Sequence, residues 1–328
     1  MGELQFARRV VRTTAELGRH IQDDMTAEAL TKSDSSPVSV ADFAIQAVIA
    51  HELQQEYPED PLVGEEQAAP LQKEDAGETL DQVVSFTRSV LPDATPEEIC
   101  DWIEQGTGDP ADRYWTLDPV DGTKGFLRGD QYAIALSLIE NGEVQLGVLG
   151  CPNLADAARE ERNGPGSVLY AERDGGAWCE PVFNNGERQQ LEVTDTEDPE
   201  NGVAVRSYES DHTDEELMQE LMEVLQIQKD AVPLDSQAKY AVLASGAVDM
   251  YFRLLSVENP AYRENIWDQS AGAIIVEEAG GKVTDLDGRP LDFSTGRKLT
   301  NNRGVLATNG HLHDRCLDAI AQVEEPAK

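Results

Sequence analysis

Two carboxylates, Asp118 and Asp121, close the apolar run Tyr114-Trp115-Thr116-Leu117, and Gly122-Thr123 follow at once. The run reads as a strand that ends on acid. Asp side chains with the carbonyl of Val120 between them and exposed amides just after are what hard cations and a phosphate require together. The same residues also make an Asp-rich turn, because Asp, Pro and Gly are ordinary turn formers. Taken alone, Asp118-Pro119-Val120-Asp121-Gly122-Thr123 permits both readings, so residues elsewhere must decide.

An Asp pair cannot by itself hold and use two magnesium ions; more carboxylates have to converge from strand ends or helix starts. Gly64-Glu65-Glu66 qualifies, following the short strand Pro61-Leu62-Val63. Trp267-Asp268 qualifies too, at the start of a helix expected over residues 268–279 that ends on Gly280-Gly281. In a chain with 63 acidic residues, each of these alone is also an ordinary solvated carboxylate or helix cap.

Acid dominates the composition: 63 Asp and Glu against 26 Lys and Arg, a formal net charge of −37 spread along 328 residues. Such a surface repels nucleic-acid backbones and anionic membranes. Hydrophobic residues make up 40%, too many for a disordered acidic chain. Self-repulsion of this size weakens in concentrated salt, where the Debye length falls to ~3 Å near 1 M. The expectation is therefore a halophilic, cytoplasmic protein. No apolar run approaches a membrane span and no N-terminal signal is visible. Cys100, Cys151, Cys179 and Cys316 lack C-x-x-C spacing and read as buried free thiols. His20, His51, His212, His311 and His313 show no paired spacing and read as surface residues.

Periodicity predicts a helix over residues 4–25, a polar loop over 31–39, and a second helix from Val40 that Pro58 stops. Asp42 falls in the first turn of that helix, where a carboxylate suits the helix dipole. Residues 67–112 read as a helical, acidic insertion or lid. Residues 132–140 and 143–150 flank Asn141-Gly142, the strongest short hairpin signal, and 168–171 with 176–179 add a strand pair. Beyond a boundary near 195–201 the pattern alternates: a strand at 203–205, helices over 215–226 and 236–245, and a strand at 250–252. That alternation suggests an α/β second domain.

Three motifs, Gly64-Glu65-Glu66, Asp118-Pro119-Val120-Asp121-Gly122-Thr123 and Trp267-Asp268-x-x-Ala271-Gly272, stand far apart in this order. Together they make the chain resemble the inositol monophosphatase-like, lithium-sensitive phosphatases. Further segments resemble the 3′(2′),5′-bisphosphate nucleotidase branch. These are Thr31-Lys32-x-Asp34-x-Ser36-Pro37-Val38-Ser39-x-Ala41-Asp42, the run Gly122-Thr123-Lys124-Gly125-Phe126-Leu127-Arg128-Gly129, Gly150-Cys151-Pro152-Asn153-Leu154 and Leu234-Asp235-Ser236-Gln237-Ala238-Lys239-Tyr240. The likeness runs from the first helix to Thr308, and the acidic surface is where the chain departs from ordinary members.

The resemblance implies an α/β fold, a layered αβαβα sandwich. Its α+β N-terminal domain would span residues 1–197 and its α/β C-terminal domain 198–328, with the site between them. It implies that Glu65, Asp118 and the Val120 carbonyl hold one Mg²⁺ and that Asp118, Asp121 and Asp268 hold another, with two or three ions per site. Gly122 and Thr123 would open a helix whose amides bind phosphate. The Thr123 hydroxyl, hydrogen-bonded to Asp42, would orient and deprotonate a water activated by the metal, so no Ser, Cys or His nucleophile is needed. Ser236 and Lys239 would contact the nucleotide's phosphate and sugar, and Arg206 and Ser207 the adenine side.

The implied activity is removal of the 3′-phosphate from adenosine 3′,5′-bisphosphate to give AMP, extending to the sulfated precursor of sulfur assimilation, with inhibition by lithium. Its partner is thus a small phosphorylated nucleotide, with no nucleic-acid polymer or membrane involved, and the protein a monomer or homodimer. An inositol monophosphatase or inositol polyphosphate 1-phosphatase would share the metal site and differ in the pocket; the stretch from Leu234 to Tyr240 favours the nucleotide. A non-catalytic cation- or nucleotide-binding protein is the alternative of another class, and it would not need Asp42 and Thr123.

Overall fold

The apolar stretches pair into two sheets, and helices fill the space between and outside them. The computed structural model describes residues 2–29, 37–73, 75–184, 186–208, 215–255 and 261–324. Thr31, Lys32, Asp34 and Ser36 of the expected loop, and His212, lie outside the described residues.

Helix α1 (Glu3–Ala29) buries Phe6, Val10, Val11 and Leu17, the face its periodicity marks. Helix α2 (Pro37–Glu56) begins three residues before the expected Val40. Proline suits a first helical position, having a fixed φ and no N–H to leave unpaired. Asp42 therefore lies past the first turn and is buried, so it is not a dipole cap. Strand β1 (Leu62–Gly64) follows, then α3 (Gly77–Val90) and α4 (Pro96–Glu104), the latter opened by a reciprocal Thr95–Glu98 capping box. Both helices pack on α2, with Val83, Ile99 and Ile103 buried.

Strands β2 (Arg113–Asp121), β3 (Ala133–Glu140) and β4 (Glu143–Cys151) form the centre of the large sheet; the short α5 (Thr123–Arg128) separates the first two. Asn141 (φ 52°) and Gly142 (φ 80°) make the expected left-handed two-residue turn. A small ribbon of β5 (Leu154–Ala155) and β6 (Arg159–Glu160) leads to β7 (Ser167–Glu172), β8 (Ala177–Glu180) and β9 (Gln189–Gln190). The large sheet runs β1-β2-β3-β4-β7-β8-β9, parallel only between β1 and β2.

The second sheet uses β10 (Ala204–Arg206), β11 (Val232–Pro233), β12 (Met250–Arg253), β13 (Lys282–Thr284) and β14 (Val305–Thr308), ordered β11-β10-β12-β14-β13. Helices α7 (Ala238–Ala244) and α8 (Ser270–Glu278) lie between the sheets, while α6 (Glu215–Val224) and α9 (His313–Glu324) cover the outer face of the small one. With α1 and α2 on the outer face of the large sheet, the layers read α, β, α, β, α, the order the resemblance implies.

His313 corrects the surface reading of the histidines. It is buried, with Nε2 2.9 Å from the Thr284 hydroxyl and Nδ1 3.0 Å from that of Thr308. Cys151, Cys179 and Cys316 are buried free thiols and Cys100 is half-buried. No helix among the described residues is long and apolar enough to cross a membrane.

Candidate active site

β1 and β2 run parallel with Gly64 opposite Leu117, so Glu65, the residue after β1, comes level with Asp118, still within β2. The register with β3 then slips: Asp118 lies opposite Ala135 but Asp121 opposite Ala133, three residues against two. In a regular strand, residues three apart point to opposite faces. The bulge absorbs one residue and re-aims the chain, and Pro119, with no N–H to give, tolerates the interruption. Both carboxylates face one cavity in consequence. Gly122 (φ 88°) turns left-handed into α5, and a Cβ there would come within 2.9 Å of the Ser236 side chain.

That cavity, about 380 Å³, lies between the end of the large sheet and the small-sheet half. Glu65, Asp118, Val120, Asp121, Gly122 and Thr123 line it from one side, and Ser207, Ser236, Lys239 and Asp268 from the other. Gln237 stitches the second side together. Its N–H donates to Asp121 Oδ2 at 2.6 Å, its side-chain amide donates to the Trp267 carbonyl at 2.9 Å, and its Oε1 accepts from the Gly272 N–H at 3.0 Å. Lys239 is buried on α7 with its ammonium 5.4 Å from the centroid of the Tyr251 ring.

The carboxylates differ in what surrounds them. Asp118 is held well above the usual carboxylate range by burial first, then by Glu65, Asp121, Asp268 and Asp42. Its Oδ1 is buried and meets no hydrogen-bond partner. Burial, then Asp121, Glu264 and Glu65, raise Asp268 in the same way. Asp42 is raised by burial, Glu66 and Glu65, while Glu66 is pushed up to about 7 by burial and Glu65. Burial also raises Asp121, but Lys239, the Gln237 N–H and Arg253 pull it back. Burial draws Lys239 down to about 8 against the attraction of Asp121.

A buried carboxylate oxygen with no donor, ringed by other acids, is costly unless a cation meets it. As the side chains stand, no group of three or more His, Cys, Asp or Glu among the described residues is arranged to hold a metal ion. Two of the acids are turned to protein donors, Asp121 to the Gln237 N–H and Asp268 Oδ2 to the Asn265 amide at 3.1 Å. The donor set itself, carboxylate oxygens with a backbone carbonyl at Val120, is the hard-oxygen set that magnesium takes. The residues present fit that ion.

Not every expected residue reaches the cavity. Arg206 donates to the carbonyl of its neighbour Ser207 at 3.0 Å and does not line it. Thr123 is exposed at the start of α5, and the hydrogen bond to Asp42 that the resemblance implies is not formed; the charges that act on the Asp42 carboxyl are those of Glu66 and Glu65. No described residue of 67–112 lines the cavity. Conversely, Gln237, Arg253 and Glu264 line it and carried no sequence assignment. Arg253 Nε donates to buried Glu264 at 3.0 Å, and Gln269, which accepts from the Tyr240 hydroxyl, donates to the same carboxylate at 3.0 Å. One signal for Arg253 was available: a charge ending an apolar strand, two residues from Tyr251 and so on its face.

The fold and this acidic strand end define a family, and the chain belongs to it: the Inositol monophosphatase family model matches residues 4–325. A 3′(2′),5′-bisphosphate nucleotidase 2 of Candida albicans is 36% identical over 353 aligned residues, covering 98% of this chain and 97% of that one. A 3′(2′),5′-bisphosphate nucleotidase of Oryza sativa is 39% identical over 337 residues, covering 97% and 93%. Among solved structures, a Thermotoga maritima IMPase superposes with a TM-score of 0.66 at 22% identity over 99% of both chains, a likeness of fold.

Proposed function

We propose that this chain is a magnesium-dependent 3′(2′),5′-bisphosphate nucleotidase, hydrolysing the 3′-phosphate of adenosine 3′,5′-bisphosphate to leave AMP. The observation that carries the reading is one cavity with two opposed walls, Asp118 with an unpartnered buried oxygen on one and the buried Lys239 on the other. A substrate bearing two phosphates has use for both. Full-length relatives that carry the nucleotidase name support the same substrate class. Residues 1–197 form the domain that bears most cation ligands and 198–328 the one that bears Asp268, Ser236 and Lys239.

In this reading Glu65, Asp118, Asp121, Asp268 and the Val120 carbonyl hold the cations. When bound, the ions supply positive charge for the transferring phosphoryl group and acidify water near neutrality. The chain's own groups do the positioning. Gly122 and Thr123 bring amides and a hydroxyl to the reacting phosphate; with the Thr123 side chain turned to Asp42, a contact this structure does not make, that carboxylate, its affinity for protons raised by burial, would take up the proton that Thr123 relays. Ser236 and Lys239 hold the second phosphate, where a buried ammonium is a strong point charge. Ser207, which lines the cavity, leads to Tyr208, 54% exposed, with the Arg128 guanidinium 4.5 Å from the centroid of its ring. That flat, exposed pair suits a purine base. Lithium competes for one of the cation positions.

Phosphate release from adenosine 3′,5′-bisphosphate and from inositol 1-phosphate, compared at equal enzyme, Mg²⁺ and KCl, tests the proposal. The nucleotide should be the faster substrate; faster release from the inositol phosphate would sink the reading.

A further inference from the structure

Glu65 and Asp268 come from opposite halves of the fold, one leaving β1 and the other preceding α8. One side chain spans the gap between them. The backbone of Arg297 belongs with the Asp268 segment: its carbonyl accepts from the Ile266 N–H at 3.1 Å, and the Leu299 N–H donates to the Glu264 carbonyl at 2.9 Å. Its guanidinium reaches the other half. Nη1 donates to the carbonyls of Gly106 at 3.2 Å and Gly108 at 3.3 Å, and Nη2 donates to the carbonyl of Gly64. The same group lies 4.8 Å from the centroid of the Trp267 ring. Gly64 directly precedes Glu65, and Trp267 directly precedes Asp268. A single planar cation thus touches the residue before a carboxylate on each side of the cavity.

The Glu65 segment is also gripped from beneath. Gln46, buried on α2, donates to the carbonyls of Glu66 at 2.8 Å and Ile103 at 2.7 Å and accepts from the Glu66 N–H at 3.1 Å. Gly64 in turn donates to the Gly106 carbonyl at 2.8 Å. Gln46 ties this corner to its own half, and Arg297 ties it to the other. The fork and the flat face are both in use, which a lysine cannot reproduce.

We infer that Arg297 is a positioning residue whose guanidinium sets the separation of Glu65 and Asp268 across the cavity. The inference rests on reading those carboxylates as cation ligands. Without the fork, the Gly64 and Gly106 carbonyls lose their tie to the segment before Asp268, and the two carboxylates no longer keep a fixed spacing.

Mg²⁺ binding to the full chain, measured by titration calorimetry, tests this, with a thermal melt in EDTA for each variant. Arg297→Met keeps apolar cover over Trp267 and removes the fork; Arg297→Lys keeps the charge. Both should weaken Mg²⁺ binding by about tenfold or more, the loss typical when groups that orient metal ligands are removed. Arg297→Gln, with one amide left to donate, should fall between them and the unsubstituted protein, and it carries the test if Arg297→Met does not fold. Unchanged Mg²⁺ affinity with a lowered melting temperature would make Arg297 a structural brace and overturn the inference. Full affinity in Arg297→Lys would overturn it too, because charge alone would then suffice. Absence of Mg²⁺ binding by the unsubstituted protein would fail the cation-site reading itself, a result distinct from the other two.

Discussion

The two walls of the cavity are built from similar elements, strand ends and helix starts, yet treat the carboxylates they face differently. On the large-sheet wall Asp118 is raised by burial and by four neighbouring acids, with one oxygen unpartnered. On the small-sheet wall Lys239 and Arg253 stand with Gln237, and they draw Asp121 back toward its charged form. Asp118 and Asp121 are three residues apart on one strand, so their difference owes nothing to sequence neighbourhood. It comes from which wall each faces. The protein itself compensates one carboxylate and leaves an oxygen of the other without a partner.

Substitution should separate the two most sharply. Asp118→Asn and Asp121→Asn should each lower kcat/KM about a thousandfold or more, since each removes several kcal/mol of metal-held stabilisation. In EDTA, however, Asp118→Asn should melt above the unsubstituted protein, because it removes an uncompensated buried charge, whereas Asp121→Asn should not. Equal shifts in the two melts would break the comparison. Next in size, Lys239→Met should lower kcat/KM for adenosine 3′,5′-bisphosphate roughly ten- to hundredfold, the worth of a charge-assisted hydrogen bond, without weakening Mg²⁺ binding. A calorimetric loss of Mg²⁺ affinity in that variant would show that the walls do not divide the work. Lys239, drawn down to about 8, should also let KM climb as the pH passes that value.

Salt should act on both walls and on the surface together. With a net charge of −37, the melting temperature should rise by roughly 5 °C or more between dilute buffer and 2 M KCl, as screening relieves repulsion. A flat response would show that the acid is already compensated in the fold.

The smallest expected effect concerns pH. Glu66, raised to about 7, costs stability in the metal-free protein as pH rises from the usual carboxylate range through 7. His313, drawn down to about 4 by burial, costs stability as pH falls from 6.5 to 4. The slopes oppose one another. In EDTA, His313→Asn should therefore gain melting temperature on acidification from pH 7 to 5 more steeply than the unsubstituted protein; parallel curves would remove His313 from the account.

Much of the fold is legible where the signal is local. Asn141-Gly142 between apolar runs dictates the hairpin, and the three spaced acidic motifs name the strand end and helix start that meet at the cavity. Features made by distant partners leave no such trace. Arg297 bonds carbonyls about 190 residues or more away in sequence, and carbonyls are common to every residue type. Arg253 ends β12 and Glu264 stands 11 residues on, outside any helix or strand, so no single period displays the pair. His313 opens α9 between apolar Leu312 and acidic Asp314, a context that fits either face, and its two threonine partners, from β13 and β14, reveal that it is inside. Pro37 is different in kind, a local signal with two meanings: proline suits a loop or a first helical turn, and α2 begins on it, which places Asp42 past the first turn.

The slip in register beside Pro119 has one further consequence. Two acids in alternate positions of an ordinary strand would share a face with one residue between them; here two residues stand between Asp118 and Asp121, and the slip restores the shared face. What it adds is main chain: Val120 falls out of step with β3, and its carbonyl lies between the two carboxylates along the chain. Position 120 should then be tolerant and indispensable at once. Exchanges there would be graded by how well they fill the surrounding core, while loss of the residue altogether would erase an oxygen that no side chain supplies.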